Sequence, residues 1–188
     1  MIKAILFDCF GVVYTDSFSI VYEKFGGNLE KDYDFIHETF HASNSGRIPT
    51  ATPFFAKKLQ ISEAEWDDVM RSTGSENTEL LDFIKTLKND YKIGMLSNVG
   101  SGGLLRYFKK ETLDDHFDVV VESSKIGFAK PEARAYEITA DKLGVRLDEC
   151  VFIDDRPEYV EGAQHVGMKT ILYTDFQSFK KELENVLG

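Results

Sequence analysis

KAILFDCFGVV, residues 3–13, runs apolar from Ala4 to Phe7, stops on a single acid, Asp8, and turns at once through Gly11. A short apolar run of this kind reads as a strand buried on both faces, with Asp8 at its carboxyl end. In an open parallel sheet the loops leaving the strand tips form the ligand crevice, so a carboxylate there is a candidate nucleophile. Two residues further on, a second acid would supply the proton transfers of a two-step hydrolysis. The chain has Phe10 there instead.

Working outward, five segments share the first one's character: Ile2 to Phe7, Lys92 to Ser97, Val119 to Val121, Cys150 to Ile153 and Lys169 to Tyr173. Helical spacing fills the gaps, at Glu79 to Leu87, Leu104 to Lys110, Pro131 to Leu143, Glu158 to Val166 and Phe176 to Leu187. Pro131 suits the first turn of its helix and Gly144 the cap at the other end. These are βα units, and they predict an α/β fold: a three-layer, Rossmann-like, parallel five-stranded sheet.

One stretch breaks the alternation. From Tyr14 to Asn77 there is no strand pattern, and Phe18, Val21, Tyr22 and Phe25, then Phe35, Ile36, Thr39 and Phe40, then Phe54, Phe55, Leu59, Trp66, Val69 and Met70, recur at helical intervals. Gly26-Gly27, Asn44-Ser45-Gly46 and Ser72 to Ser75 supply turns, and Pro53 after Thr52 marks a helix start. The expected organisation is a core of residues 1–14 and 78–188 and an inserted all-helical cap of residues 15–77. Because the insertion leaves just after Asp8, it must hang above the strand tips.

A chain of 188 residues, 43% hydrophobic, fills one core with room for such an insertion. No apolar run approaches the ~20 residues that cross a bilayer, and the N-terminus lacks a signal-peptide pattern, so a cytoplasmic location is expected. Cys9 and Cys150 both adjoin strands and read as small core hydrophobes rather than a disulfide framework. A formal charge of −10 argues against nucleic acid or an anionic membrane as partner, and an anionic substrate would need a local positive site.

Four strand ends carry polar residues where the preceding strand is apolar: Asp8, Ser97 with Asn98, Lys130 at the helix after the third strand, and Asp154 with Asp155. Singly each is a turn residue, a solvated charge or a helix cap. Together, at one edge of one sheet, they suit phosphoryl transfer to a carboxylate. A carboxylate and a phosphate dianion repel, so the site requires a divalent cation and a fixed ammonium. Asp8, Asp154 and Asp155 are hard oxygen ligands for Mg2+, and Lys130 is the ammonium. Ser97 and the backbone amides around Asn98 and at Phe10 and Gly11 can donate to the phosphoryl oxygens, with Gly11 permitting close approach.

The segments FDCFGVV, GMLSNVG, IGFAKPEARAYE and FIDDRPEYVEGAQHVGM, in this order, resemble the four motifs of the haloacid dehalogenase superfamily of hydrolases. The helical insertion resembles the C1 cap of that superfamily's subgroup I. GRIPTATPFFAKKL is similar to the cap segment of a branch that includes the N-terminal phosphatase of epoxide hydrolase and bacterial glucose-1-phosphate phosphatases. The resemblance implies Asp8 as nucleophile, Ser97 and Lys130 as phosphate ligands, and Asp154, Asp155 and the Phe10 backbone carbonyl as magnesium ligands beside Asp8. It implies a small phosphorylated metabolite as substrate.

Phe10 and Tyr159 depart from the pattern. Most phosphatases of the superfamily carry Asp at the first position, as acid and then base, a contribution of about 10² to 10⁴ in rate. Its absence suggests slow turnover or a preference for good leaving groups. The branch often has Asn where this chain has Tyr159. An aromatic residue at Phe10 also fits the metal-independent dehalogenases, but the adjacent Asp154 and Asp155 are useful only beside a cation. A third alternative is a catalytically impaired binding protein. Arg47 in the cap and Arg156 beside the acidic pair are candidate substrate contacts. His37 and His41, four apart on one helix, are expected on a solvated face rather than as metal ligands, and His116 and His165 as structural.

Overall fold

The computed structural model describes all 188 residues. Five strands, β1 (Ala4–Phe7), β2 (Lys92–Ser97), β3 (Val119–Glu122), β4 (Cys150–Asp154) and β5 (Lys169–Leu172), pair in parallel in the order β3-β2-β1-β4-β5. The register sets Phe7 level with Met95 on one side and Ile153 on the other. The ends of β1, β2 and β4 therefore lie side by side. The chain winds one way from β1 to β3 and then returns to the other side of β1, so the β1/β4 boundary is the topological switch point where a crevice opens.

Helices cover both faces. Ile5 and Phe7 point into a cluster with Leu80, Ile84 and Phe179, under α5 (Thr78–Leu87), α6 (Lys110–His116) and α10 (Phe176–Leu187). Ala4 and Leu6 point the other way, toward Tyr136, Ala140 and Ala163 of α8 (Ala133–Leu143) and α9 (Pro157–His165). This period-two split of one fully buried strand is why residues 4–7 carry no polar side chain.

Residues 18–73 contain four helices and no strand: α1 (Phe18–Lys24), α2 (Tyr33–Asn44), α3 (Thr52–Leu59) and α4 (Glu63–Thr73). Val21, Tyr22, Ala51, Phe55 and Trp66 form a core of their own. Phe18 packs against Phe40 and Phe55 with ring centroids 4.7 and 5.0 Å apart. Ser62 and Glu65 close a capping box at the start of α4, which stops α3 and α4 from fusing. The two connections to the sheet run together, with Tyr14 bridged to Glu76 and Thr15 N donating to Ser75 O at 2.9 Å.

Three local expectations are corrected. Leu104 to Lys110 is a 3-10 turn, Leu104–Arg106, followed by α6; Leu104 and Phe108 are buried at a four-residue interval without the intervening helix. α6 itself shows little periodicity because only Leu113 and His116 of its residues are buried. A four-residue α7 (Ser123–Ile126) follows β3, and α8 begins at Ala133 with Glu132 as N-cap, so Pro131 precedes the helix rather than opening it. No helix is long and apolar enough to cross a membrane.

Candidate active site

Asp8 is the first residue past β1, held by its amide donating to Ile153 O at 2.8 Å. Beyond it the chain turns tightly, with the amides of Val13 and Tyr14 both bonding Cys9 O at 2.8 Å. Asp154 ends β4 with no solvent exposure, and Ser97 ends β2 equally buried. Lys130 comes from the loop before α8. Asn98 clamps its backbone from both sides, Lys130 N donating to Oδ1 and Nδ2 donating to Lys130 O, each at 2.8 Å. That clamp is the physical reason Asn follows Ser at this strand end: it carries one loop's position onto another.

The Lys130 ammonium sits between two carboxylates, 2.7 Å from Asp8 Oδ1 and 2.6 Å from Asp154 Oδ2. Burial works against its charge, but Asp8 and Asp154 outweigh burial and leave its pKa raised. Burial pushes Asp8 up to about 7, with Lys130 opposing it and Asp154 reinforcing it. Asp155 is pushed up to about 6, by burial and then by Asp154. A cluster holding three acids and one lysine therefore has a deficit of positive charge.

Three buried side-chain oxygens have no protein partner: Ser124 Oγ in α7, and, at the strand tips beside Asp8, Ser97 Oγ and Asp155 Oδ1. Such orphans are costly unless something outside the chain satisfies them. Asp8, Asp154 and Asp155 offer oxygens that all lie within 4.8 Å of one another. An acceptor in need of a cation and a donor in need of an acceptor thus stand at the tips of the two strands that flank β1. This donor set fits a hard, oxygen-loving cation of the Mg2+ type.

Above these residues a cavity of about 680 Å3 opens toward α1–α4. Its floor includes Asp8, Phe10, Asn98 and Lys130, and its far wall is apolar, with Phe18, Ile36, Phe40 and Met70. Phe10 stands edge-on to Tyr107 at 5.2 Å and to Tyr14 at 6.2 Å, so an aromatic cluster occupies the ground beside the acids. Of the two candidate arginines, Arg156 lines the cavity, stacked 4.6 Å over the Tyr159 ring with Nε donating to Glu158 at 2.7 Å. Arg47 does not: it is exposed, and its Nε donates to Ser45 Oγ at 3.1 Å.

Arg106 lines the cavity where no sequence argument had placed it, donating to Thr52 Oγ1 at 3.0 Å and standing 3.5 Å from Asp67. The available signal was its position in the loop beyond the β2 tip. His37 and His41 are exposed, as expected, but also line the cavity. His116 is buried, with Nδ1 2.6 Å from Thr112 O, and His165 lies on the surface of α9.

Residues 2–167 match the family described as haloacid dehalogenase-like hydrolase. A 76-residue segment, 40% of the chain, is 41% identical to bifunctional epoxide hydrolase 2 of Rattus norvegicus, of which it covers 14%. An 85-residue segment, 43% of the chain, is 42% identical to a phosphatase of Mycobacterium tuberculosis, of which it covers 38%. The chain thus spans well under half the length of these curated relatives. In three dimensions, 95% of it superposes on 99% of a HAD family enzyme from Bacteroides thetaiotaomicron in complex with magnesium and inorganic phosphate, at TM-score 0.76 and 21% identity.

Proposed function

The chain belongs to the haloacid dehalogenase-like hydrolases, and on that premise we propose that it is a Mg2+-dependent phosphatase that forms a phosphoaspartate at Asp8. The observation that carries this reading is the triad of carboxylates Asp8, Asp154 and Asp155 with oxygens within 4.8 Å of one another, one of them, Asp155 Oδ1, buried without a partner. Asp8, Asp154, Asp155 and the Phe10 carbonyl would hold the cation. When bound, Mg2+ supplies the charge neutralisation that lets a phosphate dianion approach a carboxylate.

Lys130 does the rest of that work from within the chain. Its ammonium, already 2.7 Å from Asp8, lowers the repulsion between the nucleophile and the incoming dianion. Ser97 Oγ, free of protein partners, donates to a phosphoryl oxygen. An Asp8 oxygen attacks phosphorus, the phosphorus–oxygen bond to the leaving group breaks, and the alkoxide takes its proton from water because Phe10 has none to give. Water then attacks the phosphoaspartate, releases inorganic phosphate and restores the carboxylate. The helices of residues 15–77 serve as the cap that shields these steps, and Arg156 contacts the leaving group at the cavity wall. The substrate is a small phosphorylated metabolite.

The test is phosphate release across sugar phosphates, nucleotides and small acid phosphates, with and without Mg2+. Asp8→Asn, folded by thermal unfolding, should release none. Phe10 favours one competing reading, a metal-independent haloacid dehalogenase, which halide release indifferent to Mg2+ would establish in place of the phosphatase.

A further inference from the structure

Tyr159 was legible in the sequence only as a mismatch, yet the fold brings it to the cavity wall beside Lys130. It is the third residue of α9, and its backbone carbonyl is pinned by Tyr136 Oη at 2.7 Å. Tyr136 is buried and packs edge-on to Phe152 of β4 at 5.3 Å, so the anchor is part of the core. The Tyr159 ring is flanked by two cations, the Lys130 ammonium 4.9 Å from its centroid and the Arg156 guanidinium at 4.6 Å. Cation–ring contacts of this length hold a ring's orientation as well as its position.

The ring lines the same cavity as Asp8, Asn98 and Lys130. Asn98 Oδ1 is already taken by the Lys130 amide, and one Nδ2 hydrogen by the Lys130 carbonyl, so what the amide has left is its second hydrogen. The Tyr159 hydroxyl has the cavity to donate into.

We propose that Tyr159 is a further ligand of the phosphoryl group in this site, its hydroxyl donating to a non-bridging oxygen beside Ser97 and Lys130. This rests on the phosphatase reading and adds a residue to it. The role supplies a third neutral or cationic donor to an acceptor that carries two negative charges. A hydrogen bond to a charged partner is worth roughly ten- to a hundredfold in binding.

The experiment compares the parent protein with Tyr159→Phe, which keeps the ring and both cation contacts and removes only the hydroxyl. With Mg2+ present, inorganic phosphate is titrated as a competitive inhibitor of p-nitrophenyl phosphate hydrolysis, and thermal unfolding is followed on the same samples. The expected result is a phosphate inhibition constant raised about tenfold or more and kcat/KM lowered to match, at an unchanged melting temperature. A purely structural tyrosine would shift the melting temperature and leave phosphate affinity alone. Turnover and phosphate affinity in Tyr159→Phe equal to the parent's would overturn this inference while leaving the phosphatase reading intact. A parent that neither hydrolyses esters nor binds phosphate would overturn both.

Discussion

A Cβ on Gly11 would lie 2.3 Å from Asp155 Oδ2. The turn leaving β1 and the acid following β4 thus approach at a distance only glycine allows, and Gly11 also holds a φ of +92°, where an L side chain is strained. Gly11→Ala should cost about 1–2 kcal/mol from the backbone alone. It should also push the Asp155 carboxylate aside. Thermal scans with and without MgCl2 are expected to show a lower melting temperature and a smaller Mg2+ shift than the parent's. A full-sized Mg2+ shift would mean that Asp155 is not a ligand in its observed position.

The raised acids predict how pH acts on stability. Asp8 moves from 3.8 to about 7 and Asp155 from 3.8 to about 6. Between those values the folded protein binds more protons at these two groups than the unfolded chain does, so their contribution to metal-free stability is greatest at or below about pH 4 and is lost as pH rises through about 6 to 7. On the Mg2+-dependent reading, the cation would take the place of those protons. Its stabilisation should therefore grow over the same range, by mass action on the folded state. Melting temperatures in chelator and in millimolar MgCl2, measured across that range, check both slopes; parallel curves would remove the carboxylates from the metal site.

Phe10→Asp restores an acid at the cost of two edge-on aromatic pairs, to Tyr107 and Tyr14, each worth about 0.5–1.5 kcal/mol. The variant should melt lower. On the phosphatase reading, a substrate with a good leaving group should give a pre-steady-state burst in the parent, because water would attack the phosphoaspartate without a positioned base; in Phe10→Asp the slow step should quicken by up to about 10². The absence of a burst in the parent, with no acceleration in the variant, would show that another group already serves as base.

Arg106 and Asp67 form the single ion pair between the α1–α4 helices and the sheet-bearing part of the chain. Both side chains are about a third exposed, so the pair itself contributes at most about 1 kcal/mol to stability. Its expected effect is on closure. Arg106→Ala should raise KM with a small change in melting temperature, and Asp67→Asn added to it should have less effect than Asp67→Asn alone, as a double-mutant cycle would show. Fully additive effects would argue that the two residues act separately.

Asp8, Ser97, Asp154 and Asp155 were legible in the sequence because each breaks an apolar strand pattern at its end, and a parallel sheet brings such ends to one edge; Lys130 was legible as the charge just before the helix that follows the third strand. The strand at Lys92–Ser97 and the helix at Phe176–Leu187 have the bounds their periodicity implies. α6 was not legible, since its burial rests on Leu113 and His116 within a charged segment. Arg47 and Arg106 show the same limit in the site: both are loop arginines, and nothing in their neighbours reveals which one meets the cavity.

What the sequence by itself determined is the part governed by local periodicity: the alternation of strand and helix, the helical insertion after Asp8, and the row of polar strand ends. Tertiary structure alone decided the contacts whose partners are far apart in the chain. The Asn98 clamp on Lys130, the packing of Gly11 under Asp155, the turn of Tyr159 toward Lys130 and the reach of Arg106 to Thr52 are all of this kind. Each depends on loops from different strands meeting at a distance of a few ångströms, and that distance is set by sheet order and register. Hydrophobic spacing carries information about which face of an element is buried; it carries none about which loop lies opposite.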